Sequence, residues 1–596
     1  MTANTEEPAV GSAEIGRRSH PGIAGARSWF LAIAVSTLSG CGSGRGSGPS
    51  VLVDTTPPIA GMTFDGLGGD VDMQPSATPI AANWTGFSDD SGSIATYSWA
   101  IGTTPGGTEL QGWTNVGQAT AGTNSSLAPG VGTTCFVAVR ARDAAGNLSQ
   151  PAVSDGVTIT AETPGVSGAP GGAHTASITQ WGITWRFAEQ ERIGQFANGD
   201  WWVLGPVSIV EISPPCQTVG GRVINGSMIN PVPNGEHGYD SMLFAPHQDQ
   251  RYKSYLNVAI GVGSGTPLEL QSGTSLISVI SQMTTPASGS FSQLATAAVL
   301  TVLATEPPAD AFRPAYTGTD KTIRHRESDL DYATLGTIAP VGSPPPLVDT
   351  AAKFARVWLD HTPGWVSRYM HPVENMPDYG RDFTTLYGTG ALLLQMDYTN
   401  AQKRDLLVRL TQIGIDHWGN VSNGCVWEGV GGQGSGRKFP ILLAGAVLHD
   451  PTMSAIGATH PSGYFGPGHP NNRSQFGEDC QTFYVQQTSA GVYNWGYGRY
   501  DVAYDGLPEW GNSHTTWPAN DQSGWLQDPY RRCCTANAWV GQTLAARIMT
   551  LQTAWAHPSY FAYMDRFMQT EGPRGTWTRC WDTWQETMWD AYRSQL

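Results

Sequence analysis

Residues 401–415 read Ala-Gln-Lys-Arg-Asp-Leu-Leu-Val-Arg-Leu-Thr-Gln-Ile-Gly-Ile. Leu406, Leu407, Leu410, Ile413 and Gly414 fall at helical spacing, with charge on the far side. Upstream the period is different. Ala95-Thr96-Tyr97-Ser98-Trp99-Ala100-Ile101 and Thr134-Cys135-Phe136-Val137-Ala138-Val139-Arg140-Ala141 alternate residue by residue, as half-buried strands do. This change of period divides the chain into a β-rich part and a helical C-terminal part.

Working outward from 401–415, further helices are predicted over Ala351–Leu359, Gly390–Met396, Pro440–Leu448, Thr535–Leu551, Tyr560–Gln569 and Trp577–Arg593. Towards the N-terminus, strand-like runs cover Ile178–Phe187, Trp201–Ile212, Tyr255–Val262 and Ala297–Ala304. Turn signals such as Asp89-Asp90-Ser91-Gly92 and Ala145-Gly146-Asn147 separate the earlier strands. The expected organisation is a leader over 1–41, a flexible tether over 42–50, an all-β module over 51–160, a linker over 161–174, a second β-sandwich over 175–345, and a helical domain over 349–596. The Pro-rich stretch Val341–Val348 reads as a stiff hinge.

Composition bounds the function. The chain has 596 residues, 22 of them Trp, and only 14% charged residues, against about 25% in average soluble proteins. The net charge of -16 argues against a nucleic-acid partner, which would need basic surface to displace counterions. No apolar run reaches the roughly 18–20 residues needed to span a bilayer.

The N-terminus carries Arg17, Arg18 and Arg27, then a short apolar run from Trp29 to Leu38, then Leu38-Ser39-Gly40-Cys41 and a Gly/Ser stretch. This is the order of an export signal. Leu-Ser-Gly-Cys resembles a bacterial lipobox, which implies lipidation at Cys41, a membrane anchor, and a place on the outer membrane or cell surface. In that compartment disulfides persist. Seven further cysteines leave at least one unpaired. Vicinal Cys533 and Cys534 are expected to point in different directions.

Candidate chemistry collects in loops. In 175–345, the loops Gln195–Trp202, Asn225–Pro231 and His237–Ser241 mix amides, carboxylates and aromatics. Trp201, Trp202, Asn230, His237 and Tyr239, with Trp427 and Trp510 further on, are expected to form a sugar-contacting rim. In 349–596 four loops concentrate charge on a charge-poor scaffold. The first, 368–382, holds His371, Asn375, Tyr379, Arg381 and Asp382. The second runs from Trp427 and Glu428 through a glycine-rich turn to Arg437 and Lys438. The third, 478–484, opens with Glu478 and Asp479. The fourth holds Arg499, Tyr500, Glu509 and His514 and ends at Arg531-Arg532.

Several mechanisms drop out. The glycine-rich turn lacks the order of a P-loop, since Phe439 follows Lys438. No Gly-x-Ser-x-Gly elbow sits on a strand-to-helix turn. No spacing reads as a zinc site, and no cofactor is expected beyond a structural Ca²⁺ at Glu478-Asp479 with loop carbonyls. Two chemistries fit. β-Elimination on a uronic-acid polysaccharide needs a base, an acid and a group that neutralises the substrate carboxylate. His371, Asn375, Tyr379, Arg381, Arg499 and Tyr500 supply those types. Glycoside hydrolysis needs two carboxylates, and Asp382, Glu428, Glu478, Asp479 and Glu509 supply them. A glycan-binding or adhesion protein without catalysis is the third reading.

Two resemblances add to this. Asp54-Thr55-Thr56-Pro57-Pro58, the Trp99 strand and Val139-Arg140-Ala141-Arg142-Asp143-Ala144-Ala145-Gly146-Asn147 are similar to a fibronectin type III or bacterial Ig-like module, which implies a spacer. Gly436–Gly445, Glu478–Tyr484 and Arg532–Asn537 resemble stretches of a poorly characterised family of secreted bacterial proteins, across 175–596. The helical part is also similar in style to α/α-toroid polysaccharide lyases. That fold usually places its β-domain after the toroid; here it would come first. The resemblance implies a polysaccharide lyase as a fold-level analogy.

Overall fold

The computed structural model describes residues 54–66, 73–75, 80–90, 92–124, 127, 129–130, 132–160, 173–242, 251–283, 292–364, 367–427, 429, 431–460, 475–493, 500–511, 529–571 and 579–596. The chain divides into two units, Met1–Thr56 and Pro57–Leu596. In the first, the Asp54 carboxylate accepts the backbone N–H of Thr56 at 2.9 Å, a short local turn. The second is multidomain, with sandwich-like β-sheets followed by a helical C-terminal region. The leader, Cys41 and the tether fall outside the described residues.

The first β-part alternates as its sequence does. Met62–Asp65, Ile80–Thr85 and Ala121–Asn124 form a three-stranded sheet. Ile94–Gly102 and Thr134–Asp143 lie at the centre of a six-stranded sheet, paired antiparallel with Trp99 opposite Val139. Ile80 and Trp84 from one sheet meet Trp99, Ile101 and Val137 from the other in a single core. Trp84 and Trp99 are therefore packing residues, and Trp113 lies half-buried under the Arg140 guanidinium.

A second sheet of eight strands spans residues 173–303. Its strands are antiparallel except for one parallel pair, Trp201–Leu204 beside Leu294–Leu303. Period two sorts its side chains. Leu276, Leu300 and Val302 join Ile178, Trp185 and Ile209 on one face. Ile277, Val279, Ala297 and Val299 turn to the other face and meet Val357, Leu359 and Met370 from the lead-in to the helical region. Burial on both faces explains the nearly unbroken apolar run of Leu294–Leu303.

This contact also explains where a predicted helix fails. The helix expected over Ala351–Leu359 occupies Leu347–Ala352 instead. Beyond it the chain alternates: Val357 and Leu359 face the sheet, while Trp358 enters the helical core. Tertiary packing imposes period two on a stretch that reads as helical.

The other helices follow their apolar stripes. Residues 401–415 lie within a helix over Asn400–Ser422. Its start is a capping box: Thr399 Oγ1 accepts the Gln402 N–H, and Gln402 Oε1 accepts the Thr399 N–H. Gly390–Met396 is the end of a longer helix, Gly380–Gln395. Lys438–Val447, Val540–Ile548, Pro558–Thr570 and Thr583–Tyr592 complete the set. No helix among the described residues is long and apolar enough to cross a membrane.

Gly414 sets one helix contact. A Cβ there would lie 2.2 Å from the Pro440 carbonyl oxygen and 2.6 Å from the Ala444 Cβ. Backbone cannot move aside as a side-chain tip can, so the two helices would have to part. Gly414→Ala is expected to lower stability by about 1–3 kcal/mol, read as a lower midpoint of thermal unfolding; an unchanged midpoint would show that the contact is soft.

Candidate functional site

Four sequence-distant loops meet in the helical region, and backbone groups do most of the joining. The glycine-rich turn is the centre. Its Gly432 N–H donates to the Tyr379 hydroxyl at 3.0 Å, which ties it to the first loop. Its Gly436 N–H donates to Glu478 Oε2 at 3.1 Å, and Gln481 Nε2 donates to its Gly431 carbonyl at 2.7 Å, which ties it to the third. Trp510 Nε1 donates to Gln481 Oε1 at 3.0 Å and brings in the fourth. Arg381 Nη1 closes the ring by donating to the Cys533 carbonyl at 3.2 Å.

The glycines allow this closeness. A Cβ on Gly432 would lie 1.9 Å from the Cys534 carbonyl oxygen, and one on Gly380 would lie 2.2 Å from the Gln433 carbonyl oxygen. The turn is packing, not a phosphate cradle. Cys533 and Cys534 beside it form a disulfide with each other. The expectation that they diverge is thereby corrected. Cys135, Cys216 and Cys425 form no disulfide among the described residues.

Beneath the turn, Arg437 is buried. Its guanidinium donates to both Asp360 oxygens, at 2.7 and 3.0 Å, and to the carbonyls of Gln433 and Ser435, each at 2.7 Å. This is a bidentate, fully hydrogen-bonded pair. Asp360 is pulled below the usual carboxylate range, because Arg437 and nearby His417 outweigh the burial that opposes them. His417 Nε2 lies 3.3 Å from Asp360 Oδ2. The Arg437 guanidinium also sits 4.3 Å from the centre of the Phe383 ring.

His371 lies on that same Phe383 ring, 4.7 Å between centroids. It is wholly buried, and neither ring nitrogen has a hydrogen-bond partner among the described residues. Burial pushes it down to about 3, so it is neutral at physiological pH. Glu478 is the complementary case. Burial, reinforced by Asp479, pushes it up to about 7. Its Oε1 is buried without a partner among the described residues. Asp479 is different again: it accepts from Lys438 Nζ, and from Trp555 Nε1 at 2.7 Å, and is held low by Lys438 against the opposing effect of burial. Glu509 is buried between Arg531 and Arg566.

The outer part of the site is half-buried. Tyr379 has the guanidinium carbons of Arg368 and Arg381 each 5.5 Å from its ring centre. Arg381 also stacks at 4.0 Å over the half-buried Trp581 ring and pairs with Asp382 at 2.7 Å. Asn375 is buried, with Nδ2 donating to the Arg356 carbonyl at 3.3 Å. Tyr500 packs on Phe483, its hydroxyl 3.5 Å from the Trp510 carbonyl. Glu428, Arg499 and His514 lie outside the described residues.

The rim expected in 175–345 is not presented to solvent. Trp201 and Trp202 are buried in two separate apolar clusters. Asn230 spends its side chain on the Ser275 N–H and the Gly273 carbonyl, bracing a backbone turn. His237 stacks on Tyr239, whose hydroxyl lies 3.3 Å from His361 Nε2. Trp427 packs between Phe476 and His417, and Trp510 is buried against Arg531. Aromatic rings here serve the core because each has a complementary apolar or cationic face to cover it.

Sequence reading missed Asp360, His361 and His417. The first two follow a stretch read as helix. His417 and Asp416 extend the buried side of Asn400–Ser422, where a charged residue amid apolar ones is itself a signal of pairing. No family model matches the chain, and no curated protein matches it.

Glu478 gives a testable signature. A carboxyl whose folded value lies above its unfolded one contributes stability fully present below about pH 4.5 and lost as pH rises through about 7. Relative to Glu478→Gln, the wild type is expected to lose up to about 3 kcal/mol across that window. Denaturant melts of both proteins from pH 4 to 8 check this. Taking the difference removes the opposite contribution of His371, and a flat difference would mean that Glu478 is not buried as seen.

Proposed function

We propose that this chain is an exported enzyme acting on extracellular polysaccharide, with the meeting point of the four loops as its active centre and β-elimination on a uronic-acid glycan as its reaction. The observation that carries the reading is the pairing of opposite protonation states around Arg437. His371 is neutral with both nitrogens unpartnered among the described residues, so it keeps a lone pair to offer, and opening the site to water would restore the basicity that burial removes. Glu478 titrates near 7 with one oxygen unpartnered, the form an acid requires. Both connect to Arg437, one through the shared Phe383 ring and one through the neighbouring Gly436 N–H.

In this reading His371 takes the proton next to the uronate carboxylate, and Glu478 protonates the leaving oxygen. Arg381, half-buried on Trp581 and Tyr379, offsets the substrate charge as the carbanion develops. His371 and Glu478 are closed off in this structure, so a polymer reaches them only after a local opening. Hydrolysis has less support, because Asp382, Asp479 and Glu509 are each engaged by a cation. We also propose lipidation at Cys41 on the cell surface, a fibronectin-like spacer over 51–160, and a toroid-like arrangement of the helices.

The test is a soluble form starting after Cys41, incubated with anionic and neutral polysaccharides while absorbance near 235 nm and reducing ends are followed together. Elimination raises both. His371→Ala and Glu478→Gln are each expected to lower turnover by about 10²–10⁴-fold, and Arg381→Ala to act mainly on uronate substrates. Reducing ends without absorbance would mean hydrolysis. Binding without either signal would mean a glycan-binding protein.

A further inference from the structure

A second candidate site lies on residues outside all four loops. A cleft of about 360 Å³ opens between the helix Asn400–Ser422 and the segments 312–325 and 450–453. That volume is within the range of small-molecule sites, roughly 300–1,000 Å³. From Leu410 to Val421 every residue of the helix is buried except Trp418, which is half-buried and lines this cleft. No hydrogen bond engages its indole nitrogen among the described residues. A half-buried indole is thus left on the lining, amid a stretch of helix that is otherwise buried.

The ionisable side chains of the walls face one another. Arg324 pairs with Asp320 at 2.6 Å, and His325 with Asp450 at 3.0 Å. Arg313, beneath, is buried between Asp200 and Asp416. What remains for a ligand is polar and neutral. Asn423 uses one N–H on the Gly419 carbonyl, and its own carbonyl oxygen accepts nothing among the described residues. The Thr322 hydroxyl lies on the same lining.

The cleft is also preformed. The buried Lys321 amino group donates among the carbonyls of Ala315, Tyr316, Thr317 and Gly318, at 2.8 to 3.3 Å, and locks the loop that forms one wall. Gly419 lets that wall approach the helix, since a Cβ there would lie 2.1 Å from the Ala315 Cβ. A site rigid before binding loses less entropy on binding.

We infer that this cleft binds a neutral sugar, one pyranose face on Trp418 and its hydroxyls on Asn423, Thr322 and the paired carboxylates. A pyranose has an apolar C–H face and a polar edge, which matches one aromatic wall and uncharged or charge-compensated partners. An anionic ligand would find no arginine without a carboxylate partner on the lining. The site does not depend on the reaction proposed for the loops.

The test is calorimetric titration of the soluble full-length form with cellobiose, maltose and N,N′-diacetylchitobiose, with a digalacturonate as the anionic control. At least one neutral disaccharide is expected to bind at or below about 10 mM. Trp418→Ala and Thr322→Trp are each expected to weaken binding about tenfold or more. Thr322 is exposed, so the second variant blocks the cleft without disturbing the core; circular dichroism of both confirms folding. Absence of neutral-sugar binding, binding unchanged in both cleft variants, or preference for the digalacturonate would each overturn the proposal.

Discussion

A single buried guanidinium, that of Arg437, organises the C-terminal half. It grips Asp360 with two hydrogen bonds and the glycine-rich turn with two more. Asp360 directly follows Leu359, which packs on the eight-stranded sheet. The turn carries the contacts to the first and third loops. One side chain therefore couples the sheet, the lead-in and the loop cluster. Such a charge is tolerable in the interior only because all its partners are supplied; removing one side of a buried pair typically costs about 3–5 kcal/mol.

The same logic recurs around it. Arg313 is buried between Asp200, in a loop of the eight-stranded sheet, and Asp416 on the helix Asn400–Ser422. Lys438 is buried on Asp479. A chain with only 14% charged residues places several of them inside. Their pairing constrains which segments lie together more sharply than apolar contact does, since a guanidinium needs its acceptors at set directions. Around this framework, the groups left without partners stand out. Both His371 nitrogens and Glu478 Oε1 are such atoms among the described residues, and burial drives the two side chains to opposite protonation preferences.

Much of the architecture was legible beforehand because period is local. Alternation marked the strands containing Trp99 and Val139, and the 3.6 period marked Asn400–Ser422. Both signals come from one face meeting a core, which any single segment displays by itself. The loop compositions were legible too: 368–382 and 478–484 stood out against a charge-poor background, and both reach the cluster. The aromatics misled, because a Trp in a turn-rich stretch reads the same whether its face meets solvent or a neighbouring strand. Trp201 and Trp202 meet the core.

The sequence by itself determined that β-structure gives way to helices, and that polar side chains gather in the connections between those helices. Only the tertiary structure decided that Ala351–Leu359 abandons its helix to cover a sheet, that Arg437 finds Asp360 across 77 residues, and that His371 ends up sealed beside Phe383. The reason is range. Periodicity and turn chemistry act over a few residues and are written in order along the chain. The pairing of buried charges, and the burial that moves a histidine and a glutamate in opposite directions, depend on which distant segments share a volume.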